Sequence, residues 1–319
     1  MKTAVVGLGS IGSVHIEVLK KLKFNISSIC DIDREKLNIY NEICGFTDFK
    51  AMIEQIKPDV IHLCTPHYLH ADMIVYALER DINVICEKPI CISENDFARI
   101  LNAESKSRGQ LGICFQNRYN PATIFLKKYL DKKKVLCANA LLSWNRDESY
   151  YRSGSWRGQY STEGGGLLIN QSIHTLDLLQ YLFGMPKQVV AQCANLTLKD
   201  YIEVEDTACA LYKGDIDYSF FATNGSSQDV PIYINVKTED GYLQFFDGQI
   251  FFNGEKIFFD DNKKYYGKGV YGNGHEKLFI DFYDCVKTGR KFEICGQEAL
   301  KSVSMVLSAY KSNGKIINI

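Results

Sequence analysis

Three clusters in the sequence have residue types and spacing that can support chemistry, and the first is a glycine turn. Gly7-Leu8-Gly9-Ser10-Ile11-Gly12 follows a β-branched run and opens a helical pattern, the setting in which G-x-G-x-x-G cradles a pyrophosphate. The first glycine permits the tight turn, the second lets backbone approach the phosphates, and the third lets helix and strand pack, while the helix N-terminus offers free N–H groups. Asp31 lies nineteen residues beyond Gly12, at the end of the second expected strand. A carboxylate there accepts hydrogen bonds from an adenine ribose and repels a 2′-phosphate, which selects NAD; Arg34 keeps NADP as the alternative.

The second cluster comprises Thr65-Pro66 and Glu87-Lys88-Pro89, each just past an expected strand and so at the carboxyl edge, where open α/β sheets bind ligands. An X-Pro bond can be cis, which would aim Lys88 in an unusual direction. A lysine needs a lowered pKa or a relay partner before it can take a hydroxyl proton. In the third cluster, Gly164-Gly165-Gly166 precedes Asn170, Gln171, His174 and Asp177. Spacings of four and three place Asn170, His174 and Asp177 on one helix face, and histidine has an unperturbed pKa close to neutrality. Upstream, Trp144, Arg146, Tyr150, Tyr151, Trp156 and Arg157 offer aromatic faces and guanidinium groups suited to a sugar ring and its oxygens.

These clusters need particular elements to hold them. Thr3–Val6, Ile26–Cys30, Val60–Cys64, Asn83–Cys86 and Leu111–Phe115 read as buried strands alternating with helices, the rhythm of a parallel sheet. Ile11, Val14, Val18 and Leu22 recur at helical spacing, and Ser93 with Asp96 resembles a capping box. After Tyr119, Lys213-Gly214-Asp215, Asp240-Gly241 and Asn253-Gly254 mark hairpins, so antiparallel sheet is expected there. One helix is expected from Gly166 to Phe183, stopped by Gly184, with two more near the C-terminus. The expected fold is α/β: a Rossmann domain over residues 1–117 and an α/β domain with a large, mostly antiparallel sheet over 118–319, for substrate binding and oligomerisation.

In order and separation, Gly7, Gly9, Gly12, His15, Thr65-Pro66, Glu87-Lys88-Pro89, the triple glycine and Asn170-Gln171-x-x-His174-x-x-Asp177 resemble the glucose-fructose oxidoreductase and inositol dehydrogenase (Gfo/Idh/MocA) family over nearly the whole chain. The resemblance implies hydride transfer between a secondary alcohol of a sugar or polyol and a nicotinamide, in a homodimer or homotetramer. It places Lys88 on the reacting hydroxyl and Glu87 near the nicotinamide ribose. Lys88 and His174 are the catalytic candidates. Gly7, Gly9, Ser10, Ile11, Gly12, Asp31, Thr65, Pro66, His70 and Glu87 are the cofactor-binding candidates. Lys88, Asn117, Tyr151, Trp156, Arg157, Asn170, His174 and Asp177 are the substrate-binding ones. Many relatives carry aspartate where this chain has Asn170, and an amide cannot accept a proton as a carboxylate does; the proton is then expected to pass between Lys88 and His174. Two alternatives of the same fold are an NAD-retaining, redox-neutral glycosidase and a non-catalytic NAD- or sugar-sensing protein.

Composition limits the partners. With 319 residues, 37 basic against 38 acidic and 46% hydrophobic, the chain reads as two globular domains with no electrostatic call for nucleic acid or a membrane surface. The start superficially resembles a signal peptide, but three glycines interrupt it, and no apolar run nears bilayer-spanning length. The eleven cysteines are spread out, without a C-x-x-C pair, which points to a reducing, cytoplasmic setting. Among the histidines, His62 reads as buried structure, and no metal-ligand spacing involves it, His67, His70 or His275.

Overall fold

The computed structural model describes residues 1–260, 266 and 273–319, which form two compact units. The first is built on six strands, β1 (Lys2–Val6), β2 (Asn25–Cys30), β3 (Gly45–Phe46), β4 (Val60–Leu63), β5 (Asn83–Cys86) and β6 (Leu111–Ile113). Their spatial order is β3-β2-β1-β4-β5-β6 and every pair is parallel, which is the doubly wound dinucleotide-binding arrangement. β4 is buried at all four positions, which is why its sequence is a continuous apolar run broken only by His62. β3 escapes a sequence reading because two residues carry no periodicity. The helix Ser10–Lys21 connects β1 to β2 and buries Val14, Ile16, Val18 and Leu19, and the helix Asn95–Lys106 begins two residues after Ser93.

Strand order reverses between β1 and β4, so their carboxyl ends bound the crevice in which such sheets take ligands. The chain leaves this unit at Asn117, and the helix His275–Thr288 rejoins it. That return is anchored on β1, where the Thr3 and Tyr283 hydroxyls lie 2.8 Å apart in the buried interior.

The second unit carries nine strands: β7 (Val135–Asn145), β8 (Gln188–Ala194), β9 (Thr207–Lys213), β10 (Asp217–Thr223), β11 (Gly225–Thr238), β12 (Gly241–Phe246), β13 (Gln249–Phe252), β14 (Glu255–Phe259) and β15 (Ile317–Asn318). They lie in the order β14-β13-β12-β11-β7-β10-β9-β8-β15, and β7 with β10 is the parallel pair among antiparallel neighbours. The three expected hairpins are present, and Asp247-Gly248 forms another with both residues at positive φ. β9 and β10 alternate strictly, burying Ala208, Ala210, Tyr212, Tyr218, Phe220 and Ala222. Their opposite face leaves Leu211 and Phe221 exposed.

The helix after the triple glycine departs from the expected α-helix. Leu168–Ser172 forms a π-helical turn and only Ile173–Phe183 is α-helical. Such one-turn π segments cluster at functional sites. Here the wider turn holds Asn170 and Gln171, so i,i+4 spacing is a poor guide to which side chains share a face. Asp177 illustrates the consequence: its oxygens accept from Arg118 at 2.6 and 2.7 Å, from Ser302 at 3.0 Å and from Gln180 at 3.2 Å. Arg118 and Asp177 are 5% and 1% exposed, so Asp177 is a buried anchor for its helix, correcting the expectation that it faces substrate. Removing one partner of such a pair strands a buried charge. Asp177→Ala should therefore lower unfolding free energy by about 3–5 kcal/mol in urea titration; a loss below about 1 kcal/mol would show the pair to be dispensable.

Candidate active site

In the first unit, the candidate residues gather on the rim of the parallel sheet. Gly7 follows β1 at a φ of +87°, and a Cβ there would stand 2.5 Å from the Cys64 carbonyl oxygen at the end of β4. A Cβ on Gly12 would stand 1.9 Å from the Gly7 oxygen. Only glycine allows these backbones to approach so closely. Gly9 differs: its φ is ordinary and a Cβ would meet nothing within 4 Å, leaving open space beside the first turn. Ser10 and Ile11 begin a helix with no acidic residue in that turn and no side-chain cap, so its N-terminal N–H groups are available to an anion. These residues fit a dinucleotide pyrophosphate.

Asp31 follows β2 directly, where the motif requires it. One oxygen accepts from the Leu8 N–H at 2.7 Å and the other from Asp33 N–H at 2.9 Å, so the carboxylate also braces the glycine turn. The Lys36 ammonium stands 3.7 Å from it. Thr65 and Pro66 follow β4, and Thr65 hands its carbonyl to His70. The His70 ring is fully buried, with Nε2 at 2.8 Å from that oxygen and Nδ1 at 2.7 Å from the Pro89 carbonyl. It links the two rim loops through their carbonyls. Burial pulls its pKa down, while the two carbonyls pull it up.

Glu87, Lys88 and Pro89 follow β5, with the Lys88–Pro89 bond cis. Burial opposes the charge of Glu87, but the hydrogen bond and charge of His15, with His275 and Lys88 adding to them, bring its carboxyl down to about 2. His15 Nε2 lies 3.1 Å from Glu87, its Nδ1 2.9 Å from His62 Nδ1, and His62 Nε2 3.0 Å from the Tyr283 hydroxyl. Two Nδ1 atoms in contact need one proton between them, and where a neutral His15 donates its Nε2–H to the Glu87 carboxylate, its Nδ1 accepts from His62. His275, whose pKa burial lowers to about 4, completes a cluster in which ligand-type atoms of His15, Glu87 and His275 lie within 4.8 Å of one another. Spacing along the chain cannot reveal that convergence.

In the second unit, the candidate residues gather around the triple glycine. Gly165 and Gly166 press against the Tyr310 hydroxyl and the Glu205 carbonyl, which a Cβ would approach to 2.1 Å. The buried Glu205 carboxylate then caps the helix, accepting from Gly166 and Leu168 N–H groups at 2.8 Å each and from Tyr310 at 2.8 Å. Tyr150 gathers donors from Arg157 at 2.5 Å, Gln171 at 2.9 Å and Asn170 at 3.3 Å. Arg157 also stacks between the Tyr150 and Trp156 rings, at 4.4 Å from each centroid. His174, 9% exposed, lies one residue into the α-helical stretch. Tyr151 instead turns into a cluster with Leu198, Ile202 and Val204, and its hydroxyl meets Asn224 at 3.1 Å. Asn117 lies in a 3-10 turn and engages Asn120 at 3.3 Å.

Glu163 escaped the sequence reading. It is fully buried, accepts from the Gly158 N–H at 2.5 Å and hydrogen-bonds the Asn170 amide. Burial, against these donors and Arg157, raises its pKa to about 7. Only its place two residues before Gly165, beside the motif, could have hinted at it.

The fold and rim together define a Rossmann-type dinucleotide-binding oxidoreductase. Residues 1–115 match the Gfo/Idh/MocA model described as "Oxidoreductase family, NAD-binding Rossmann fold" and residues 135–316 match its "C-terminal alpha/beta domain", and the chain belongs to that family. It is 23% identical to the uncharacterized oxidoreductase YrbE of Bacillus subtilis over 97% of this chain and 93% of that one. It is 24% identical to the myo-inositol 2-dehydrogenase of Thermotoga maritima over 73% and 72% of the two chains. Its fold is similar to that of the WlbA dehydrogenase from Bordetella pertussis, solved in complex with NADH and UDP-GlcNAcA, with a TM-score of 0.90 at 24% identity over 100% of this chain and 97% of the other.

Paired variants separate the two tyrosines. Tyr150→Phe removes the acceptor shared by three side chains and should lower kcat/KM for substrate about 10- to 100-fold, with about 1–3 kcal/mol of stability lost from the donors left unpaired. Tyr151→Phe should cost about 1 kcal/mol of stability and leave KM unchanged. Steady-state kinetics beside urea denaturation reads both, and the reverse pattern would assign the site to Tyr151.

Proposed function

We propose that this chain is an NAD-dependent dehydrogenase of a secondary alcohol in a sugar, polyol or related small molecule. The observation that carries the reading is the rim: a glycine turn open at Gly9, a carboxylate at Asp31 and an amine at Lys88 all follow strands of one parallel sheet. Similarity to a myo-inositol 2-dehydrogenase, and in fold to a WlbA dehydrogenase solved in complex with UDP-GlcNAcA, supports a hydroxyl-rich substrate. A bound nicotinamide would supply the hydride acceptor. Lys88 and His174 would manage the hydroxyl proton, Glu87 would fix the Lys88 loop through its charge, and Tyr150, Arg157 and Asn170 would hold the remaining hydroxyls.

We also propose a homodimer or homotetramer in a reducing, cytoplasmic setting. Leu211 and Phe221 lie on adjacent antiparallel strands of the open sheet face, 46% and 43% exposed, the kind of surface a second copy would cover. All eleven thiols are free, and no described helix is long and apolar enough to cross a membrane.

The test of the activity is NADH formation from a panel of polyols and sugars by wild type and Lys88→Met. Loss of Lys88 should lower kcat about 10²- to 10⁴-fold while NAD affinity stays within about twofold; unchanged turnover would remove Lys88 from the chemistry. Aglycone release without NADH would indicate a redox-neutral glycosidase instead. For assembly, Leu211→Glu with Phe221→Glu should shift the sedimentation coefficient to that of a monomer, and an unchanged coefficient would move the interface elsewhere.

A further inference from the structure

We propose that His15, Glu87, Cys114 and His275 form a binding site for one divalent metal ion of the zinc class, set in the interior of the first unit. The inference is independent of the dehydrogenase reading, because it uses neither a dinucleotide nor a substrate.

The four residues come from four places along the chain. His15 lies on the helix Ser10–Lys21, Glu87 follows β5, Cys114 follows β6 and His275 opens the helix His275–Thr288, all within the first unit. Ligand-type atoms of His15, Glu87 and His275 lie within 4.8 Å of one another, and His15 Nε2 stands 3.1 Å from Glu87. Cys114 Sγ lies 3.9 Å from the same His15 nitrogen, and its thiol hydrogen-bonds with Glu87. Ligand atoms around a tetrahedral ion of this class stand about 3.3–3.6 Å apart, so His275 has at most about 1.5 Å to close.

His275 is the residue that calls for a ligand. It is 0% exposed, and neither ring nitrogen has a hydrogen-bond partner among the described residues. A buried imidazole in that state forfeits the hydrogen bonds it would make with water. A metal ion beside Glu87 takes up its lone pair.

The charges and the surroundings fit the same ion. Only a thiolate ligates, so Cys114 releases its proton to solvent as the metal–sulfur bond forms. With the Glu87 carboxylate this gives two negative and two neutral ligands around a dication, and a site without net charge suits a dry interior. With its Nε2 on the metal, His15 carries its proton on Nδ1 and donates it to His62 Nδ1 at 2.9 Å; His62 Nε2–H then donates to the Tyr283 hydroxyl at 3.0 Å. Outer hydrogen bonds of this kind orient a ligating imidazole. The ion ties the helix His275–Thr288 to the ends of β5 and β6, beside the loop that carries Lys88.

Because the cluster is buried, the probe is cobalt(II) supplied during expression in minimal medium, with the purified full-length chain passed through a weak chelator to strip surface sites. Wild type should retain about one cobalt per chain, with the visible bands of a four-coordinate ion and a near-ultraviolet thiolate-to-cobalt band. X-ray absorption at the cobalt edge should show one sulfur at about 2.3 Å and three lighter ligands at about 2.0–2.2 Å. Cys114→Ser should lose the thiolate band, and His275→Gln should lower cobalt retention at least about tenfold. Cys209→Ser, at an exposed thiol, should behave as wild type. A wild-type chain that retains no cobalt, or that holds it through oxygen ligands alone, overturns the proposal. Wild-type retention and bands in both Cys114→Ser and His275→Gln overturn it as well, and so does loss of the cobalt in Cys209→Ser, which would assign it to surface thiols. If circular dichroism shows that a buried-site variant does not fold, the X-ray absorption of wild type decides alone.

Discussion

The structure of the first unit depends on one close approach: the backbones at the end of β1, the start of the following helix and the end of β4 meet with no room for side chains. The Gly7 turn lies on the Cys64 carbonyl and Gly12 lies on Gly7. This contact sets the height of the helix N-terminus over the sheet, and with it the placement of the N–H groups that a pyrophosphate would use. Asp31 fastens the same turn from β2 through Leu8, and His70 joins the Thr65 and Pro89 loops from β4 and β5. The rim is thus a connected set of loops, each held by a buried polar group.

In the second unit, buried carboxylates play the corresponding part. Glu205 satisfies the first N–H groups of the helix after the triple glycine, Asp177 ties its later turns to Arg118, and Glu163 holds Asn170 inside the π-helical turn. Each lies where desolvation opposes its charge, so each persists through the donors that surround it. The helix bearing Asn170 and His174 is therefore held along its length by buried polar contacts as well as by the packing of Leu176, Leu178 and Leu179 in the core.

Much of this was legible in the sequence, for reasons that differ by element. The strands β1, β4, β5 and β6 stand out because burial demands continuous apolar runs, and the glycine turn because only glycine fits at positions 7 and 12. Asp31 follows from its distance to that turn. What stayed hidden depends on partners far apart in the chain. Asp177 looked like a helix-face residue until Arg118, fifty-nine positions earlier, proved to own it. Tyr150 and Tyr151 are indistinguishable by type, and their fates were decided by Leu198, Ile202 and Val204, which bury one of them. The π-helical turn changes the spacing rule itself, and Glu163 acquires its meaning only through the residues it touches.

The account turns on the glycine turn being the seat of a dinucleotide, and Gly9 allows that to be measured without disturbing the fold. Its backbone is ordinary and its side-chain position is open, so Gly9→Val should cost at most about 1 kcal/mol of stability yet fill the space the pyrophosphate needs. Calorimetric titration of NAD into both proteins should show binding to wild type and a loss of at least about 100-fold in the variant. Equal affinity of the two for NAD would contradict the account, because the cofactor would then bind elsewhere.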